Sequence, residues 1–251
     1  EAASPYAGDA HDYLAKGLAM RDALRDESTL SFCLAPHAPY TVTDATLERI
    51  ATYAAELDVP VEMHLHETRD EIRESVSTHG VRPLERMRRL GLLSPGFIAV
   101  HAVRLERIGL LGPSFIAVHA VHLSPDEIAL LAGLGCSVAH CPSSNLKLAS
   151  GFAPVTRMLK EGLNVGLGTD GAASNNRLDL LNEMRLAALL AKGASGDSTS
   201  VPAHTALHMA TLAGAQALGI GDRTGSLTPG KRADITAVRL NDLELPPPYD
   251  P

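Results

Sequence analysis

Six segments of the chain place a histidine or an aspartate where an apolar run gives way to small or polar residues. These are His37, the pair His64 and His66 followed by Glu67, then His101, His119, His140 and Asp170. In Val61-Glu-Met-His-Leu-His-Glu-Thr68, residues two apart share one face of a strand, so His64 and His66 point the same way. Imidazole is a good ligand for a divalent transition metal, and Glu67 would stand beside whatever that metal polarises. The same stretch equally suits a polar strand end solvated by loop water, and the residues alone do not separate these readings. In Gly168-Thr-Asp-Gly-Ala-Ala-Ser-Asn-Asn176, Asp170 suits a metal ligand that accepts a proton from bound water. Asp-Gly is also ordinary turn chemistry, but Ser174-Asn175-Asn176 extends the motif beyond what a turn needs. Any one of these residues is more often a hydrogen-bonded structural group. The coincidence across six segments favours a site.

The elements that must position them follow from periodicity. Short β-branched runs at 30–35, 59–65, 97–101, 115–119, 137–140 and 164–168 are expected strands. Amphipathic patterns at 44–57, 68–77, 83–92, 125–134, 153–161, 178–192 and 202–218 are expected helices between them. Ser124-Pro125-Asp126-Glu127 is a capping box with proline at the first helical position, and Thr43 offers a second N-cap. Strand, helix, strand in this rhythm predicts parallel strands with crossover helices, whose functional groups gather at the strands' C-terminal ends. The tail from Gly225 to Val238 changes to a turn followed by a β run.

Several motifs in order then resemble one family. Ala35-Pro-His-Ala-Pro-Tyr-Thr41, Met63-His-Leu-His-Glu-Thr68, Val118-His-Ala-Val-His-Leu123, His140-Cys-Pro-Ser-Ser-Asn-Leu-Lys-Leu-Ala-Ser-Gly151 and the Gly168–Asn176 stretch are similar to the amidohydrolase superfamily. Within it they resemble the 5-methylthioadenosine/S-adenosylhomocysteine deaminases and the related triazine hydrolases. The resemblance implies an α/β fold: an incomplete (β/α)8 TIM-like barrel over 1–224, then a remnant of a small β-sandwich over 225–251. It implies hydrolytic removal of an amino group from a purine ring at a site holding one Zn2+ or another divalent transition metal. His64 matches the fifth-strand metal ligand and Asp170 the eighth-strand ligand. Glu67 matches the carboxyl group that protonates the ring nitrogen. His119 matches the sixth-strand histidine that orients the metal-bound hydroxide, and His37 a substrate-contacting histidine. His66, His140 and Asn145 lie inside matched motifs without an assigned role. Glu67 must arrive protonated, which requires burial or a nearby negative charge.

One departure stands out. The family's first strand carries an H-x-H pair that supplies two metal ligands, and the single H-x-H here is already His64-Leu-His66. A catalytic zinc normally takes three protein ligands and a water. The early barrel strands are therefore expected to be missing, with weak metal binding, low activity and self-association through exposed edges. Other readings are another ring deaminase (guanine, 8-oxoguanine or cytosine type), a triazine hydrolase, or a non-catalytic fragment. The other zinc-deaminase design needs Cys-x-x-Cys, and Cys141 is followed by Pro-Ser-Ser-Asn.

Bulk properties narrow the partners. A net charge of −7 without a basic stripe argues against nucleic acid, and no run reaches the length of a membrane span. Three scattered cysteines fit a reduced cytoplasmic protein, and the opening residues show no leader pattern. A small purine-type substrate and a possible homo-oligomer are the expected partners.

The stretch from Arg86 to Val103 is repeated from Arg104 to Val121, with thirteen of eighteen positions identical. Two units are too few for a repeat fold, so a local duplication is the better account. One copy is expected in the sixth-strand place and the other as a loop or surplus strand. His119 is preferred over His101 because its copy continues into His122-Leu123, whereas the first continues into Arg104-Leu105.

Overall fold

The computed structural model describes residues 6–28, 30–65, 69–92, 97–100, 113 and 115–238. Among these residues five strands form one all-parallel sheet: β1 (Glu62–His64), β2 (Ile98–Val100), β3 (Ile116–Val118), β4 (Ser137–His140) and β5 (Asn164–Leu167). Their order in the sheet is their order in the chain. A doubly wound sheet reverses order at a switch point, whereas a barrel wall is laid down sequentially, as here. Leu34 makes one parallel bridge to Val61, so the expected 30–35 strand survives as a single bridged residue ahead of β1.

Register explains the packing. One row runs straight across the sheet through Met63, Ala99, Ala117, Val138 and Val165. All five are buried and belong to the main core. A one-residue slip in any strand would exchange this apolar row for the one holding His64 and Ala139.

The helices are α1 (Ala10–Leu24), α2 (Asp44–Leu57), α3 (Arg69–His79), α4 (Pro83–Arg89) and α5 (Pro125–Gly133), followed by α6 (Pro142–Lys147), α7 (Val155–Lys160), α8 (Leu180–Ser195), α9 (Ala203–Ala210) and α10 (Leu212–Ala217). α2 has the expected bounds, with Thr43 accepting from the Thr46 N–H and Leu47, Ile50 and Ala54 buried. The capping box at α5 forms as expected: Ser124 accepts from the Glu127 N–H, and Glu127 accepts from the Ser124 N–H. Periodicity does not mark α1, because this helix buries no residue and so carries no apolar stripe to read. Its start is set by Asp9, which accepts from the Asp12 N–H.

The expected 202–218 helix divides at Thr211, whose backbone sits at φ −129 and ψ −92. The division lets α10 reach the sheet. A Cβ on Gly166 of β5 would stand 3.0 Å from the Gly214 Cα, so any side chain at 166 would have to push the α10 backbone back by a few tenths of an ångström. Ile235–Val238, expected as a β run, pairs with no strand among the described residues, and an unpaired run is not a strand. Among the described residues no helix is long and apolar enough to cross a membrane.

Both copies of the duplicated stretch make strands. β2 and β3 are neighbours, and their identical Ile-Ala-Val runs pair in register: Ile98 with Ile116, Ala99 with Ala117, Val100 with Val118. Neither copy becomes an inserted loop over these residues; one is a surplus strand. His101 lies outside the described residues.

Candidate active site

β3 ends at Val118, and the chain then takes two residues of left-handed backbone, His119 at φ 67 and Ala120 at φ 49. Asp170, three residues past β5, is also left-handed at φ 59. Such backbone costs a non-glycine residue roughly 1–2 kcal/mol and is retained where surrounding contacts over-determine it. The contacts are on hand. The His119 N–H donates to the Ala139 carbonyl at 2.9 Å, which ties it to β4. The Gly171 N–H donates to Asp170 Oδ1 at 2.7 Å.

The two side chains meet, with His119 Nε2 3.7 Å from Asp170 Oδ2. α6 supplies the partners that hold them. His119 Nδ1–H donates to Asn145 Oδ1 at 2.8 Å, so Nε2 is the nitrogen turned toward Asp170. Ser144 Oγ–H donates to Asp170 Oδ2 at 2.6 Å. Burial alone would raise the Asp170 pKa, but donation from Ser144, Gly171 and Ser174, with His119 nearby, holds it below the usual carboxylate range. His119 is only 1% exposed, whereas the Asp170 side chain keeps 21% of its surface exposed, so the pair is open on the Asp170 side.

Two further titratable groups lie alongside. His140, at the end of β4, is 3% exposed; burial, then the neighbouring His119, pushes it down to about 4, so it is neutral at pH 7. Burial pushes the Cys141 thiol up to about 12, with Asp170 and Glu183 adding to the shift, which makes it an inert thiol.

His37 and His64 form a second group. Their rings are 5.0 Å apart, and His64 Nδ1–H donates to the His37 carbonyl at 3.0 Å. In the neutral ring this leaves Nε2 unprotonated, the form that binds a metal. His37 Nδ1 is 3.2 Å from Thr41 Oγ1. Hence the structure brings His119 to Asp170 and His37 to His64. It does not close His64, His119 and Asp170 on one point: among the described residues no three His, Cys, Asp or Glu side chains gather at metal-holding distance. β1 and β5 are the two ends of the sheet, and the surplus strand adds one spacing of about 4.8 Å between them. Glu67 and His66 lie outside the described residues.

The His119–Asp170 pair nevertheless suits a divalent metal or the water beside it. Metal–nitrogen and metal–oxygen bonds of about 2.0–2.2 Å span a 3.7 Å donor separation. The Asn145 oxygen on the far nitrogen is the kind of outer partner that orients a liganding or water-contacting imidazole. Ser144 and Asn145 sit inside the matched 140–151 motif. Their signal is the length of the Pro142–Leu148 motif, which a turn alone would not need.

The model of the amidohydrolase family matches residues 8–250. The chain belongs to that family. Among similar amidohydrolases, a 5-methylthioadenosine/S-adenosylhomocysteine deaminase of Teredinibacter turnerae is 47% identical over 249 residues, covering 99% of this chain and 52% of the relative. Another of that description, from Moorella thermoacetica, is 47% identical over 89% of this chain and 48% of its own length. An adenosine deaminase structure from Xanthomonas campestris with bound zinc matches with a TM-score of 0.74 and 44% identity, over 98% of this chain and 52% of that one. The zinc complex of atrazine chlorohydrolase from Arthrobacter aurescens matches with a TM-score of 0.70 and 27% identity, over 97% and 50%. The amidohydrolase chain described here therefore spans about half the length of the curated relatives it matches. Its fold is the α/β barrel type of these neighbours.

Proposed function

We propose that the full-length protein is a metal-dependent hydrolytic deaminase of adenine-type nucleosides, of the 5-methylthioadenosine/S-adenosylhomocysteine class. The observation that carries this reading is the His119–Asp170 pair on strained strand-end backbone, in a chain up to 47% identical to relatives of that description. His64 and Asp170, which stand apart among the described residues, would hold a divalent metal only once the full-length barrel draws them together, and the bound zinc of the Xanthomonas relative supports zinc as that metal. Such an ion supplies hydroxide at neutral pH by lowering the pKa of its water to about 7.

The chain's own residues do the rest. Asp170, kept ionised, accepts the proton of the attacking water and passes it to the departing ammonia. His119 presents Nε2 to that water with its ring angle fixed by Asn145. Glu67 donates a proton to the ring nitrogen as aromaticity is lost, and His37 contacts the substrate. The partner is thus a small purine-type molecule, not nucleic acid or membrane, with self-association as a homo-oligomer. Three free cysteines, two of them buried, support a cytoplasmic location.

Ammonia release is to be measured on the full-length protein with adenosine, 5-methylthioadenosine, S-adenosylhomocysteine, guanine, cytosine and a chloro-triazine. The adenine nucleosides should turn over, and a chelator should abolish turnover until zinc is restored. Preference for guanine, cytosine or the triazine would replace the substrate assignment, and chelator-resistant turnover would remove the metal.

A further inference from the structure

Helix α6 carries Ser144 and Asn145, yet it starts poorly. Its N-cap is Cys141, which makes no side-chain cap bond, and its first turn holds no acidic residue. The missing acceptor comes from another element. Glu183, in the first turn of α8 and 0% exposed, accepts the Ser143 N–H on Oε2 at 2.9 Å. Its Oε1 accepts from Asn175 Nδ2 at 2.9 Å. Asn175 Nδ2 also donates to the Thr169 carbonyl at 2.8 Å, and Asn175 Oδ1 accepts the Arg177 N–H at 3.1 Å. One buried carboxylate thus joins the segment that holds Ser144 and Asn145 to the loop that holds Asp170.

Both groups facing Glu183 are donors, so the place demands two acceptor oxygens. Glutamine keeps the shape but turns an NH2 toward a donor. Asn175 cannot invert its amide in response without losing Thr169 and Arg177 together. A buried carboxylate is costly to desolvate, and packing alone would be served more cheaply by an apolar side chain.

We propose that Glu183 is a positioning residue, a bracket between the β4 and β5 loops that sets Ser144 against Asp170 and Asn145 against His119. Its kinetic consequence rests on the deaminase reading above; its structural consequence does not. Lys147, which donates to the Ala173 carbonyl and to Asn176 Oδ1, is a second and exposed strap across the same gap.

The test uses Glu183→Gln and Asn175→Leu, singly and together, in the full-length protein. Amide hydrogen exchange should rise in 142–148 and 169–177 together, with α2 unchanged, and the double variant should be little worse than either single one. For ammonia release, kcat per folded molecule should fall about 10–100-fold with KM within about threefold, the size of effect seen when an outer partner of a site ligand is lost. If Glu183→Gln fails to fold, Asn175→Leu carries the same measurements. Exchange rising in one segment only, or a lowered melting temperature with unchanged kcat, overturns the bracket. Should the wild-type protein release no ammonia, the deaminase reading fails while the exchange arm still decides the bracket.

Discussion

The site's economy is visible in His119, whose Nδ1–H is tied to Asn145 and whose backbone is left-handed. Replacing it with alanine should lower ammonia release by roughly 10²–10⁴-fold, the usual worth of a positioned acid–base group. Asn145→Leu leaves the ring in place but unsteered, so a smaller loss of about 10–100-fold with KM kept is expected. Equal losses from the two variants would show that Asn145 does more than orient. Ionisation gives a separate handle on Asp170. Because Ser144 donates to it and holds its pKa down, Ser144→Ala should move the acid limb of kcat upward in pH. A limb that stays put would detach the ionisation of Asp170 from Ser144.

At the level of elements, the duplicated strand is the unusual feature. Two copies of Ile-Ala-Val stand side by side in register because a parallel ladder accepts any strand whose apolar row continues its neighbour's, and a copy does so automatically. Phe97 and Phe115, each just ahead of its strand, are both buried, so each copy brings its own share of core. Deleting 104–121 joins Val103 to His122 and regenerates the Phe-Ile-Ala-Val-His-Ala-Val-His-Leu sequence without a seam. That variant should unfold cooperatively, with β1 and β4 flanking one copy. Loss of a cooperative transition in circular dichroism would show that the sheet depends on both. A second element-level test addresses the β5–α10 contact. Gly166→Ala has no room against Gly214, so a loss of about 1–3 kcal/mol is expected from denaturant unfolding.

Global stability should carry the signature of His140. Its folded pKa of about 4 lies below the ordinary 6.5, because burial, then His119, disfavours the charged ring. Between those values the unfolded chain binds a proton that the folded chain refuses, so stability rises with pH through that window and is lost as pH falls from 6.5 toward 4. The full span is on the order of 3 kcal/mol from this one group. His140→Gln should flatten the slope of unfolding free energy between pH 4.5 and 6.5. An unchanged slope would assign acid sensitivity to other groups.

Much of this was written locally. Periodicity and caps determined α2, α5 and the five strands, because an apolar row and an N-cap are properties of neighbouring residues. The motifs likewise mark His119 and Asp170. What only the tertiary structure decided depends on distant partners. α1 has no fully buried residue and sets only Leu14 against the core, too little for a readable stripe, and α9 and α10 part at Thr211 so that two glycines 48 positions apart can touch. Asn145, Ser144 and Glu183 acquire roles only through groups 26, 26 and 40 residues away. The duplicated runs left a loop or a surplus strand open for one copy, and the sheet took both as strands, since parallel pairing asks only for matching register. The kinds of chemistry were set by residue types at strand ends; which groups meet was set by the order and number of strands between them.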